Sequence, residues 1–321
     1  MKALRFNDSS IELAEIAKPA ANGEAVVRLM KSGICGTDLE IAKGYSNFRG
    51  TIGHEFVGIV ENASEKCELI GKRVVGEINA GCGVCEMCRS GDSRHCPTRT
   101  VLGIVGRDGA HAEYLTLPVR NLLEVPENVS DEAAVFTEPL AAAVGIMERV
   151  TLTSDDHVAV IGDGKLGILC ARALAVSTPA KSITLIGKHK EKLALALKSG
   201  LETLFTEESE KLKGDFDVVI EASGSESGFA AALDLVKPRG TIVLKSTFHG
   251  LPKWEASRVV VNEIAVVGSR CGRFEPALNL LSSNQIAVTD LISEEFSLLD
   301  GVAAFECAGQ KGILKVLLRM D

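Results

Sequence analysis

Apolar positions along this chain follow two different rhythms. Up to about residue 125 they come in short runs, KALRF, IELAEI, EAVVRLM, HEFVGIVE and KRVVGEI, with turn-forming pairs such as Asn22-Gly23 and Asp108-Gly109 separating many of them. Short runs bounded by turn residues predict strands, so this part reads as an irregular β-rich domain carrying inserted loops. After Pro126 the character changes. Ser130 suits a helix N-cap, with Asp131 and Glu132 in its first turn. From residue 156, strand-length apolar runs alternate with helical segments: DHVAVIG then KLGILCARALAV, SITLIG then HKEKLALALKSG, FDVVIEAS then GFAAALDLV, and finally GTIVLKS. Strands apolar on both faces and separated by helices predict a doubly wound parallel sheet. The last fifty or so residues break that rhythm. A helix is predicted over 275–283, and a strand over 313–318 has no place in the parallel sheet, so the chain is expected to return to its first domain. The expected division is 1–126, 127–268 and a returning segment 269–321.

Composition narrows the class. A chain of 321 residues, 46% hydrophobic and 24% charged, is globular and long enough for two cores. Aromatic residues are only 4%, which disfavours base-stacking surfaces, and the net charge of −8 lacks the basic face that nucleic acid requires. The opening MKALRFNDSS is not followed by a signal-type apolar run, and no stretch of about 18 apolar residues could span a bilayer. A cytoplasmic protein with reduced thiols is expected, touching neither membrane nor nucleic acid. In that setting clustered cysteines read as metal ligands.

Four of the nine cysteines crowd together. Cys82, Cys85, Cys88 and Cys96 follow the spacing C-x2-C-x2-C-x7-C within a loop of the β-rich domain. Four thiolates so close can enclose one tetrahedral Zn²⁺ and leave no position open, which predicts a structural site. The remaining Cys67, Cys170, Cys271 and Cys307 read as small buried hydrophobes. A looser set, Cys35, His54, Glu55 and Glu138, offers thiolate, imidazole and carboxylate donors with room for water, the usual makeup of a catalytic zinc.

The string Gly162-Asp163-Gly164-Lys165-Leu166-Gly167 directly follows a predicted strand and opens a predicted helix. In that context it is a dinucleotide fingerprint. Gly162 makes the tight turn, Gly164 lets the backbone approach a pyrophosphate, Gly167 lets the helix pack on the strand, and the helix start at Lys165 and Leu166 supplies N–H groups. About 20 residues further on, an acid would grip the ribose 2′-OH of NAD. Here the chain reads Gly187-Lys188-His189-Lys190, with no acid. Gly187 leaves room and the basic residues suit a 2′-phosphate, so NADP is expected over NAD.

In this order, G-I-C-G-T-D at 33–38, G-H-E-x-x-G at 53–58, the cysteine lobe, E-P-L-A at 138–141 and G-x-G-x-x-G resemble the zinc-dependent medium-chain dehydrogenase/reductase superfamily. The E-P-L-A segment is closest to the sorbitol, threonine and glucose dehydrogenase branch. The resemblance covers nearly the whole chain. It implies a GroES-like catalytic domain, a Rossmann domain, an active site between them, two zinc ions and a homodimer or homotetramer. It makes Cys35 and His54 ligands of the catalytic zinc. Glu55 and Glu138 share the carboxylate role, one direct and one through water or an alternate coordination state. Thr37 becomes the hydroxyl that passes the substrate's proton outward. One departure stands out: many relatives carry a histidine where this chain has Glu40, so the relay beyond Thr37 ends in cofactor ribose, water or Glu40. Glu113 is read as a substrate contact or a structural ion pair. His111 stands where the family usually has an aromatic residue, with no role assigned.

The expected function is hydride transfer between a secondary alcohol, polyol or sugar-type CH–OH group and a nicotinamide cofactor. Two alternatives use the same fold. One is a zinc-independent reductase of activated double bonds, which needs neither Cys35 nor His54. The other is a non-catalytic NADP-binding protein, which would bind cofactor without turning over alcohols.

Overall fold

The strand Ala25–Ile34 organises the first part of the molecule. It pairs antiparallel with Glu55–Asn62 on one side and, on the other, with Tyr114–Leu117 and Lys315–Arg319. The expected strand near the C-terminus is therefore Lys315–Arg319, and it does return to the β-rich part. It also pairs parallel with Ile292–Ser297, the helix Gly301–Ala308 lying between the two in sequence. Arg73–Gly76 and Leu122–Glu124 complete this seven-stranded sheet. A smaller sheet carries Lys2–Asn7 between Ser10–Glu15 and Gly50–Thr51. Leu4, Phe6, Ile34, Ile41, Ile52, Phe305, Val316 and Leu318 form one buried cluster, so residues from both ends of the chain build a single core.

This is a computed structural model, and it describes residues 1–7, 10–44, 48–247 and 255–320. It divides into two compact units. The first comprises Met1–Glu138, Phe274–Ser283 and the stretch from Ile292 onward; the second comprises Pro139–Arg273 and Asn284–Leu291. The first unit thus runs past the boundary expected at residue 126. The reason lies in the helix Asp131–Val135, whose N-cap Ser130 accepts the Ala133 N–H. Arg73 pairs with Asp131 at 2.7 Å and donates to the carbonyls of Pro126 and Val129, tying this helix to the β-rich unit.

The second unit holds six parallel strands in the order Glu202–Phe205, Ser182–Gly187, His157–Ile161, Phe216–Glu221, Val236–Leu244 and Ala265–Gly268. Counted along the chain this is 3-2-1-4-5-6, the doubly wound order with its switch point beside the first strand. Val158, Ala159, Val160, Leu185 and Val219 are fully or almost fully buried, as strands covered on both faces demand. Arg172, on the helix Lys165–Ser177, is buried and makes a two-pronged pair with Asp290 at 2.7 and 2.6 Å. It also donates to the carbonyls of Ala287 and Leu195, which explains why Asn284–Leu291 belongs to this unit.

The scattered cysteines correct one expectation. Cys170 is buried, but Cys271 and Cys307 are half-buried and Cys67 is exposed. Cys67 opens a short 3-10 turn, where its thiol lies 3.6 Å from the Ala63 carbonyl instead of filling a core.

Replacing Arg172 by Met keeps the aliphatic stem but strips four acceptor contacts. We expect a loss of about 1–3 kcal/mol in urea unfolding, since Asp290 is reached by water and is relieved of part of the penalty.

Candidate active site

Cys35 sits at the junction between the strand Ala25–Ile34 and the helix Gly36–Ala42. His54 and Glu55 begin the neighbouring strand, and the register that sets Glu55 opposite Gly33 brings them alongside Cys35. One donor atom from each of Cys35, His54 and Glu55 lies within 4.8 Å of the others. His54 and Glu55 are buried, while Cys35 is half-buried and so accessible from one side. Thiolate, imidazole and carboxylate at this spacing fit a zinc ion with an open position. Thr37 Oγ1 lies 3.8 Å from Cys35 Sγ. Glu138, in the first turn of the helix Thr137–Val144, is half-buried and outside this group of three. Glu40 pairs with Lys43 at 2.8 Å on its own helix, and Glu113 accepts the Lys2 backbone N–H at 2.7 Å, a structural bond.

Behind the donors stands a fully buried carboxylate that sequence reading passed over. Asp38 accepts the Cys35 N–H at 2.8 Å and the Gly53 N–H at 3.2 Å, fixing the backbone at Cys35 and just before His54. Its oxygens also face His54 Nδ1 at 3.2 Å and His111 Nε2 at 3.5 Å, and His111 Nδ1 meets Ser32 Oγ at 2.8 Å. His111 is thus a buried partner of Asp38. Burial pushes the Asp38 carboxyl up, yet the two histidines hold it far below the usual carboxylate range. Burial pushes His54 down, and Asp38 with Cys35 more than reverses this, leaving its pKa well above the ordinary value. A metal ion held through Nε2 would leave Nδ1 on the Asp38 side of the ring, 3.2 Å from a carboxylate oxygen. The signal was available: an acid three residues after Cys35 has capping-box spacing.

Lys315 was missed as well. Its ammonium bonds Glu55 Oε2, and both side chains are fully buried. Leu317 faces Gly33, which faces Glu55, so Lys315 lies on the same face two residues along. A Cβ at Gly33 would come within 2.5 Å of Glu55 Oε2 and 3.1 Å of Lys315 Nζ. A side chain at residue 33 would press on both groups, and glycine leaves them room to meet. The Lys315 ammonium also lies 5.4 Å from the centre of the Phe136 ring. A lone lysine within the apolar run ILKVLL was the clue in the sequence.

The four-cysteine lobe forms a second donor cluster. One Sγ from each of Cys82, Cys85, Cys88 and Cys96 lies within 4.8 Å of the others, and all four are free thiols. The N–H groups of Cys82 and Cys85 approach the sulfurs of Cys96 and Cys82 at 3.4 Å. The N–H of Cys82 brings the Cys96 thiol down to about 6, whereas burial pushes Cys88 up to about 11. Four cysteine sulfurs at this spacing fit a closed zinc site.

In the second unit, Gly162 follows the strand His157–Ile161 with φ +115°, and Gly164 caps the helix Lys165–Ser177. A Cβ at Gly167 would collide with the Gly162 carbonyl, which accounts for the fingerprint's third glycine. Lys188, His189 and Lys190 are exposed just past the strand Ser182–Gly187. The room expected at Gly187 is taken: a Cβ there would lie 2.5 Å from the Asp163 Cβ and 2.6 Å from its Oδ2.

The first unit's donor cluster and the second unit's strand-turn-helix agree with two family profiles. The one described as "Alcohol dehydrogenase GroES-like domain" matches residues 21–127, and "Zinc-binding dehydrogenase" matches residues 166–283. L-threonine 3-dehydrogenase from Shewanella sp. (strain W3-18-1) is 30% identical over 98% of this chain and 97% of its own length. The chain belongs to the zinc-dependent medium-chain dehydrogenase/reductase superfamily. Two solved members are similar throughout. A protein described as a short chain alcohol dehydrogenase (rspB) from E. coli CFT073, complexed with NADH, has a TM-score of 0.89 at 28% identity, covering 99% of each chain. A putative zinc-binding dehydrogenase from Sinorhizobium meliloti 1021, bound to NADP, has a TM-score of 0.90 at 27% identity, covering 99% of this chain and 98% of the other. Among the described residues of this superfamily member, no helix is long and apolar enough to cross a membrane.

Replacing Lys315 by Met removes the ammonium from a buried carboxylate. Urea unfolding of the metal-free protein should show a loss of about 3–5 kcal/mol, with much of it restored when Glu55→Gln is added.

Proposed function

We propose that this chain is a zinc-dependent oxidoreductase that moves hydride between a secondary alcohol, polyol or sugar-type CH–OH and a nicotinamide cofactor, with NADP preferred. The reading rests on one observation above all. Cys35, His54 and Glu55 converge within 4.8 Å, with the Thr37 hydroxyl 3.8 Å from the cysteine sulfur. When bound, zinc at these donors supplies a Lewis acid that lowers the alcohol's pKa, and the nicotinamide supplies the hydride acceptor.

The chain's own residues do the rest. Cys35 and His54 anchor the metal, and Asp38 keeps the imidazole in one orientation through Nδ1. Thr37 accepts the substrate's hydroxyl proton and passes it outward. Glu40 pairs with Lys43 at the surface, and the onward path ends in cofactor ribose, water or Glu40. Glu55, held by Lys315, supplies the carboxylate next to the metal; Glu138 takes the water-mediated or alternate role. Cys82, Cys85, Cys88 and Cys96 hold a second, structural zinc. In the other unit, Gly162, Gly164, Lys165, Leu166 and Gly167 receive the pyrophosphate, and the exposed Lys188, His189 and Lys190 beside Gly187 draw the 2′-phosphate. Relatives are solved with NADH and with NADP, so the preference rests on these basic residues.

We place the protein in the cytoplasm as a homodimer or homotetramer. Its nine free cysteines suit a reducing compartment. The strand Ala265–Gly268 ends its sheet, and Val260 and Val261 beside it are 74% and 79% exposed, a surface suited to a second copy.

Three measurements test this reading. Cys35→Ser should lower oxidation of a responsive alcohol by about a hundredfold or more while leaving the melting transition nearly unchanged. Cys82→Ser should instead lower the melting temperature and the zinc content. Chelation should abolish turnover, with activity restored by added zinc; activity that survives complete metal removal would point to the zinc-independent reductase.

A further inference from the structure

In dinucleotide-binding sheets of this kind, the end of the second strand decides which adenosine ribose is accepted. An acid there bonds the 2′-OH and repels a 2′-phosphate. This chain lacks that acid at 186–190, yet a carboxylate reaches the same place from the first turn. Asp163 Oδ2 accepts the N–H of Lys188 at 2.7 Å and the N–H of His189 at 2.6 Å, and Oδ1 lies 3.1 Å from His189 Nδ1. Its side chain is buried and fills the space a side chain on residue 187 would need. Two consequences follow. The backbone N–H groups that could have bonded a phosphate are already occupied. The strand end is also not purely cationic: one carboxylate lies inside, and three basic side chains lie outside.

We propose that Asp163 is a specificity-determining residue, a substitute acid that limits the preference for a 2′-phosphate and lets the chain accept both dinucleotides. Burial pushes this carboxyl up, but the His189 N–H and ring and the Lys188 N–H hold it below the usual aspartate range, so it is charged at neutral pH. A 2′-phosphate drawn in by Lys188 and Lys190 meets that charge at short range, whereas a 2′-OH can donate to it. The inference rests on the nicotinamide-dinucleotide reading of this unit. It also changes how the preference should be engineered. An acid introduced at Gly187 would collide with Asp163, while removing the lysines would expose an acid that is already in place.

The test is calorimetric binding of 2′,5′-ADP and 5′-AMP to the full chain, with no turnover required. Asp163→Asn keeps an oxygen for the two N–H groups and removes the charge. It should raise the ratio of 2′,5′-ADP to 5′-AMP affinity by about tenfold; a ratio within about twofold of the unsubstituted chain overturns the proposal. Should that variant fail to fold, the exposed pair Lys188→Ala/Lys190→Ala decides. With Asp163 acting as the substitute acid, 5′-AMP should then bind more tightly than 2′,5′-ADP. Equal binding, or tighter binding of 2′,5′-ADP, overturns it. If the unsubstituted chain binds neither nucleotide, the dinucleotide reading itself falls and this inference with it. If the unsubstituted chain binds them and the ratio does not move, only the role of Asp163 is lost.

Discussion

A lysine ammonium and a glutamate carboxylate, both shut away from water, meet across a strand that has no side chain to keep them apart. The pair Lys315–Glu55 spans 260 positions of sequence and joins the strand Lys315–Arg319 to the start of the strand Glu55–Asn62. Taking both charges out of water is costly, and the pair is tolerable because Gly33 lets them touch and Phe136 lies near the ammonium. Replacing either charge alone would strand the other. The closing strand, the glycine in the central strand and the carboxylate beside the metal donors are therefore one constraint.

Asp38 applies the same logic to Cys35 and His54. It gathers two backbone N–H groups and two histidines around one carboxylate. A metal arriving at Cys35 and His54 would find the backbone at Cys35 and just before His54 already fixed. Little reorganisation remains, and preorganisation of this kind is what a reacting site requires. His111 extends the network to Ser32 on the central strand, so the orientation of His54 is ultimately referred to the sheet itself.

The elements legible in the sequence were those whose signal is local. The parallel sheet showed in its doubly apolar runs, the dinucleotide turn in its glycines, and the two donor clusters in residue types at short spacing. What escaped was set by register. Nothing near Lys315 in the chain points to Glu55; only the pairing of three strands does. Asp163 occupied a variable place in the fingerprint, and its effect at Gly187 follows from the parallel alignment of the first two strands. The boundary at Glu138 escaped for a related reason. The helix Asp131–Val135 has an ordinary N-cap sequence, but its partner Arg73 is 58 residues away. Cys67 shows the opposite error, a residue type taken for a core position when its place in a short exposed turn decided otherwise.

The order of segments also has a consequence for synthesis. The second unit is contained almost wholly in Pro139–Arg273, so its sheet can form as soon as that stretch emerges. The first unit begins at the N-terminus but lacks a strand of its main sheet until Lys315–Arg319 appears. During translation the earlier-made domain is thus the later one to close. Its strand Ala25–Ile34 keeps part of one edge unpaired while more than half the chain is still being made, a slow and aggregation-exposed interval for a β-rich fold. The strand Lys315–Arg319 thereby sets the moment at which the main sheet of the first unit can close around Ala25–Ile34.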